Sequence, residues 1–496
     1  MTQIDPQLAF AGIVEIGKLF RAGKLSPVEL TRFLLDRIES LNPKLNAYLT
    51  VDQAGAIKAA TSAESALCLK KRTKSRQDFG PLHGVPISLK DNIYTQGVRT
   101  TAGSEILRNF VPLHDASVVT ALKKAGAVIL GKTNLHEFAY GVTTVNPHYG
   151  PARNPWDLRR IAGGSSGGSA AALAAGLCYG SIGTDTGGSI RVPSSLCGVV
   201  GLKPGIGRVS AEGVIPLSPT LDFVGPLART VRDAALLFSA ISNKLKNERV
   251  ALPRRFLSAR KRRIRLGIPK EFFFDTLSPE VNTAFRASLR VLEKRGVSLV
   301  DVSIPLLAET EDAGNQIAWA EATQFHQQQG WYPARTADYG ADVRSRLEMG
   351  TKVSAISYLN ALELRKNFID AYHSVLKNEN LDAFVVPSTP IPAPLIDEDE
   401  TIINGKKYPT RALLLRLNRP ANLAGVPAIS VPCALTPQGL PIGIQFMGAT
   451  HHEALLLEIA NLFETTIPSP QPRNCNAPTS SHFYVRMVLR MRIPPS

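Results

Sequence analysis

An α/β fold is predicted for this chain of 496 residues by three observations. A helical pattern over Ser117–Lys124 leads through Gly126 into the apolar run Ala127–Leu130, the helix-then-strand rhythm of an α/β sheet. Short apolar runs that read as strands recur at Val85–Leu89, Arg265–Ile268, Leu299–Ile304, Ala383–Val386, Ala428–Val431 and Ile442–Phe446. A hydrophobic fraction of 44% and a charged fraction of 20% supply a sizeable core within a globular chain.

The elements follow in order. Residues 11–45 read as helices, with Ser26-Pro27-Val28-Glu29 as a capping box that carries proline at the first helical position. Leu30, Phe33, Leu34 and Ile38 then recur at helical spacing. An alanine-rich helix covers Gln53–Leu69, and the polar run Lys70–Gln77 reads as an exposed loop. Ala170–Gly176 reads as a buried small-residue helix, since it offers no polar face. Val231–Ile241 and Glu453–Phe463 read as helices. Arg254–Arg265 is a basic connector, and residues 279–370 are largely helical. From Ile467 the chain turns proline-rich and loses periodicity. The reading is one domain over residues 1–466, with a signature core at about 84–230, followed by an irregular tail over 467–496.

Composition excludes several classes of function. No apolar run reaches the ~18–20 residues of a membrane span. The start, MTQIDPQLAF, lacks the charged and apolar regions of a secretory signal, so a cytoplasmic location is expected. The five cysteines are scattered and never spaced as CxxC, which argues against disulfides and zinc. No metal or cofactor is expected. The net charge of +16 gathers in Lys70–Arg76, Arg254–Arg265 and the last dozen residues. No aromatics interleave there, so a solvated basic face is expected rather than a nucleic-acid surface.

Two motif matches compete for attention. Gly126–Thr133 fits the phosphate-loop pattern GxxxxGK[ST], but its four intervening residues are themselves a strand and cannot curl around a phosphate. Gly163-Gly164-Ser165-Ser166-Gly167 fits the GxSxG elbow of α/β-hydrolases. The stretch before it, Asp157–Ala162, reads as a turn rather than the strand an elbow needs. No acidic partner is evident for the late histidines His451, His452 and His482.

What remains is the stretch Ile161–Gly201, with two serine-glycine loops, Gly163–Ser169 and Thr184–Ser189. Such loops turn backbone N–H groups toward one point and suit an oxyanion. A serine without histidine needs another base, and a lysine serves if burial keeps it neutral. Lys90 ends the apolar run Val85–Leu89, as a residue delivered by a rigid element would. A solvated surface lysine is the competing reading.

The segments PLHGVPISLKDNI, GGSSGGSAAALAAG and GTDTGGSIRVPSSLCGVVGLKP, with NLAGVPAIS and GLPIGIQFMG near the end, closely resemble the amidase signature family. The likeness runs from about residue 10 to 465, and the 24-residue step from Ser165 to Ser189 matches the family's serine spacing. The resemblance implies a large mixed central β-sheet covered by helices on both faces. It implies Ser189 as the nucleophile, Ser165 as a bridging serine after a cis peptide at Gly164, and Lys90 as the neutral base. Backbone N–H groups of Thr186, Gly187, Gly188 and Ser189 would form the oxyanion hole. Ser166 and Ser169 are expected to bond within the first loop or to cap the helix that follows. Asp185 and Arg191 are expected to pair and shape the second loop. Arg346 falls near a pocket arginine of the family and would meet a substrate carboxylate, with a surface arginine as the plainer reading.

The family divides between free-standing amide hydrolases and the A subunit of the glutamyl-tRNA(Gln)/aspartyl-tRNA(Asn) amidotransferase. The SIRQPA and EFAMGSSTE of that branch stand here as Ser189-Ile190-Arg191-Val192-Pro193-Ser194 and Glu137-Phe-Ala-Tyr-Gly-Val-Thr-Thr-Val145. These departures favour a free-standing amidase cleaving a small carboxamide, with glutamine among its candidate substrates, and compatible with a homodimer. Amidotransferase partner subunits, in an RNA-handling complex, belong to the alternative reading; the main reading expects no nucleic-acid partner, and neither expects a membrane. Residues 305–370 would vary the pocket wall.

Overall fold

The computed structural model describes residues 4–73, 79–243 and 263–466, together with Pro472. Its strands are β1 (Tyr48–Val51), β2 (Pro86–Lys90), β3 (Val128–Thr133), β4 (Arg153–Asn154), β5 (Asp157–Ile161), β6 (Gly180–Asp185), β7 (Val200–Lys203) and β8 (Phe223–Ala228). There follow β9 (Arg265–Pro269), β10 (Ser298–Val302), β11 (Ala383–Pro387), β12 (Glu400–Ile403), β13 (Lys406–Pro409), β14 (Ala428–Leu435) and β15 (Pro441–Gly448). Eleven of them form one sheet in the order β1-β3-β2-β6-β8-β7-β14-β15-β11-β9-β10. The sheet is mixed: β3, β2 and β6 run parallel, as do β11, β9 and β10, with antiparallel pairs between.

Helices cover both faces, and the alternation of Cβ directions along a strand shows how. A Cβ on Gly180 would meet Leu237, from the helix Val231–Ile241, whereas one on Gly183 would meet Ser166, beside the helix Gly167–Ala174. Along β15, Gly443 faces Ser195, in the helix Arg191–Cys197, and Gly448 faces Leu456, in the helix Glu453–Glu464. One face therefore carries the two short helices of the Ser-Gly segment, and the opposite face carries the amphipathic pair.

Local signals account for the element ends. Ser26 Oγ accepts from the N–H groups of Val28 and Glu29 and starts the helix Pro27–Leu45, and Thr230 Oγ1 accepts from Asp233 N–H. The segment 279–370 holds the helices Pro279–Lys294, Thr310–Gln328, Ala341–Gly350 and the beginning of Ala355–Asn378. Arg254–Arg262 of the connector and almost all of the tail lie outside the described residues.

Four expectations need correction. The helix predicted over Gln53–Leu69 runs on to Thr73, where a loop was expected. Asp157–Ile161 is a strand: Asn154 Oδ1 accepts from Trp156 N–H and its amide donates to Ile161 C=O, closing a tight hairpin. That strand lies outside the central sheet. β3 continues through Gly131-Lys132-Thr133, past Leu130, where the apolar run ends. Lys132 is fully buried, bonded to Ile93 C=O and Thr100 Oγ1 and close to Asp91, so no phosphate loop exists at Gly126–Thr133. The small-residue helix begins at Gly167, three residues early, and every residue in it is buried.

That helix owes its place to Gly168. A Cβ there would lie 2.5 Å from Ala47 C=O and from both backbone polar atoms of Asn134. Backbone cannot swing aside as a side chain can, so Gly168→Ala is expected to cost about 1–3 kcal/mol. Urea denaturation followed by circular dichroism measures it, and an unchanged midpoint contradicts the account.

Candidate active site

β2 delivers Lys90, its last residue, into a fully buried position between the two Ser-Gly loops. Lys90 Nζ donates to Thr184 Oγ1 at 2.6 Å and lies 2.7 Å from Ser165 Oγ. Burial lowers its pKa to about 7 against the opposing pull of Asp222 and Asp185, so a large fraction is neutral at pH 7.

Ser165 follows a cis Gly164–Ser165 peptide bond, and its C=O accepts from His136 N–H and Thr144 Oγ1. Ser166 N–H donates to Ser189 C=O at 3.2 Å, which ties the first loop to the second. The Ser166 hydroxyl donates to Thr184 C=O, and Ser169 Oγ bonds Thr133 Oγ1 at 2.7 Å. Neither serine caps the helix, because both hydroxyls are turned to strands β6 and β3.

Ser189 is 4% exposed and lines a cleft of about 500 Å³, its open mouth included. Among the described residues, the N–H groups of Thr186, Gly187 and Ser189 donate to no protein acceptor. Gly188 differs from its expected role. Its N–H donates to Asp185 Oδ1 at 2.8 Å and is not free for an oxyanion. Gly188 is needed for space instead: its φ is +124°, and a Cβ would sit 2.7 Å from Asn418 Cβ.

Asp185 and Arg191 are both fully buried and pair through two contacts, at 2.9 and 3.0 Å. Burial pushes the Asp185 carboxyl up, yet Arg191, Lys203 and Asn422 outweigh it and hold the group well below the ordinary carboxylate value. Arg191 also donates to Asn418 C=O, Gln445 Oε1 and Asn422 Oδ1. Asn422 and Gln445 come from NLAGVPAIS and GLPIGIQFMG, where an amide inside an apolar run was the signal that could have marked them. Asp222, also missed, accepts from Thr186 Oγ1 at 2.5 Å and from the N–H groups of Leu217 and Ser218. Burial raises its pKa to about 6, helped by Glu321, although those bonds oppose it.

Arg346 is 8% exposed, not a surface residue, and does not line the cleft. It pairs with Asp342 at 2.9 Å and donates to Tyr140 C=O. Asp342 also meets His136 Nε2 at 2.7 Å, so the helical segment is pinned beside the Ser165 loop. The cleft wall above Ser189 instead holds Tyr140, Arg411, Leu415 and Arg419. Among the described residues no cluster of His, Cys, Asp and Glu could hold a metal, and no helix is long and apolar enough to cross a membrane.

A lysine, two serines in glycine loops and a mixed sheet define a class. The chain belongs to the amidase family, whose model matches residues 29–457. Among curated proteins it is 39% identical over 492 residues to the A subunit of glutamyl-tRNA(Gln) amidotransferase from Myxococcus xanthus, covering 92% of this chain and 97% of that one. Among solved structures it resembles an inhibitor-bound chain from a vestigial complex bearing on the origins of an s-triazine catabolic enzyme. That likeness has a TM-score of 0.84 at 32% identity, covering 92% of this chain and 98% of the other. It also resembles the A subunit of glutamyl-tRNA(Gln) amidotransferase from Thermotoga maritima, with a TM-score of 0.74 at 33% identity, covering 95% and 100%.

Removing one partner of a buried ion pair strands the other charge. Arg191→Met is expected to destabilise the protein by about 3–5 kcal/mol. Guanidinium denaturation checks it, and a loss below about 1 kcal/mol contradicts the placement of the pair.

Proposed function

We propose that this protein hydrolyses the C–N bond of a small carboxamide through Lys90, Ser165 and Ser189. The observation that carries the proposal is the 2.7 Å approach of Lys90 Nζ to Ser165 Oγ in a fully buried site. Neutral Lys90 takes the Ser165 proton as Ser165 takes that of Ser189. Ser189 Oγ attacks the carbonyl carbon, and the unpaired N–H groups of Thr186, Gly187 and Ser189 receive the developing oxyanion. The C–N bond breaks as the relay returns its proton to the leaving nitrogen. Water then adds to the acyl-enzyme by the same relay, releasing the carboxylate and freeing Ser189.

Only the neutral amine of Lys90 accepts a proton. With its pKa near 7, kcat/KM is expected to rise with pH through about 7 and level off above. Ser189→Ala and Lys90→Ala are each expected to lower ammonia release from simple amides by at least about 10³-fold. Near wild-type rates in both contradict the triad.

The curated relatives favour a second reading, in which the chain is the glutaminase component of a tRNA-dependent amidotransferase and passes ammonia to a partner. Under it, the chain co-purifies with partner proteins, and glutamine is hydrolysed in preference to other amides. Recovery of the chain alone, active on amides other than glutamine, contradicts this reading.

A further inference from the structure

The cleft above Ser189 is positively charged and holds polar groups that the protein leaves unsatisfied. Arg411 lines it and donates no hydrogen bond among the described residues, and its Nε is buried without a partner. The hydroxyl of Tyr140, on the same cleft, is likewise buried and unpartnered. Arg419 lines the wall too, and it donates to Glu311 C=O at 2.9 Å, a neutral acceptor. No carboxylate lines the cleft among the described residues. Arg346, in contrast, is satisfied by Asp342 and by Tyr140 C=O. Unsatisfied buried donors are costly, and a site that keeps them is built for an acceptor that arrives from outside.

We propose that Arg411 and Tyr140 bind a carboxylate of the substrate, so that the amide cleaved at Ser189 belongs to a small anion without an ammonium group. This rests on the amide-hydrolase reading and names its substrate class. A guanidinium and a phenol are both donors, and a carboxylate offers two oxygens to meet them. Burial, with Arg346 and Arg419 nearby, lowers the Arg411 pKa to about 9 against the opposing pull of Tyr140 and Asp342, so an arriving negative charge adds to the stabilisation of the guanidinium. A zwitterion such as glutamine brings an α-ammonium into the same positive field with no carboxylate to receive it.

The test compares succinamate with butyramide, its near neighbour in size without the charge, and with glutamine. Wild-type kcat/KM is expected to favour succinamate over both by at least about 10-fold. Arg411→Met is expected to lower the succinamate-to-butyramide ratio by about 10- to 100-fold, with Arg411→Lys restoring part of it. Tyr140→Phe, which keeps the ring, is expected to lower the same ratio. Equal rates on succinamate and butyramide, glutamine hydrolysed as well as succinamate, or a ratio unmoved by Arg411→Met overturns the proposal.

Calorimetric binding of succinate to Ser189→Ala protein separates the two readings. Binding that is lost on adding Arg411→Met, with no amide hydrolysed by the wild type, upholds the anion site and overturns the hydrolase reading. Hydrolysis of neutral amides with no succinate binding does the reverse.

Discussion

The buried pair of Asp185 and Arg191 is the constraint on which the site depends. Two charges withdrawn fully from water are tolerable only when their hydrogen-bonding capacity is filled. Here Asp185 accepts from Gly188 and Ile190 N–H, from the Arg191 guanidinium and from Asn422. Arg191 in turn reaches Asn418, Asn422 and Gln445, more than 200 positions onward. The carboxylate thereby chooses which N–H groups of the second Ser-Gly loop are consumed. Gly188 is taken, and the N–H groups of Thr186, Gly187 and Ser189, which line the cleft, are left without an acceptor among the described residues.

The floor of the site was legible in the sequence because its parts coincide with local signals. Lys90 stands at a strand end, and the two serines stand in glycine loops on either side of a helix with no polar face. Less local facts were out of reach. Counting N–H groups in a glycine loop cannot reveal that Asp185 has already claimed one of them. Ser166 occupies the position of a helix cap, yet its hydroxyl turns to β6, since strand and loop are packed together. The strand Asp157–Ile161 looked like a turn because a side chain, Asn154, closes its hairpin.

The wall was harder still. Thr410–Arg416 reads as an ordinary short helix with charged ends, and nothing in its own spacing shows that Arg411 lines the same cleft as Ser189. The same holds for Tyr140, which follows the 3₁₀ turn Glu137–Ala139 and whose backbone carbonyl is held by Arg346. Which arginine is occupied and which is vacant depends on Asp342, and that contact exists only once the helix Ala341–Gly350 is docked. Composition suggested a basic protein without saying where the positive charge would be put to use.

The lining of the cleft divides along the chain. The floor is contributed by Thr186, Gly187 and Ser189, within a segment locked by the Asp185–Arg191 pair. The wall is contributed by Gly314, Ala318, Arg411, Leu415 and Arg419, on helices that share no residue with that segment. Among the described residues, Gly314, Ala318, Arg411 and Leu415 bond nothing in the floor through their side chains, whereas the helix of Arg419 also carries Asn422, which holds Asp185 and Arg191. The lining carried by the helices Thr310–Gln328 and Thr410–Arg416 is therefore free to diverge while the Asp185–Arg191 segment stays unaltered, so the shape of the cleft can change without disturbing its base.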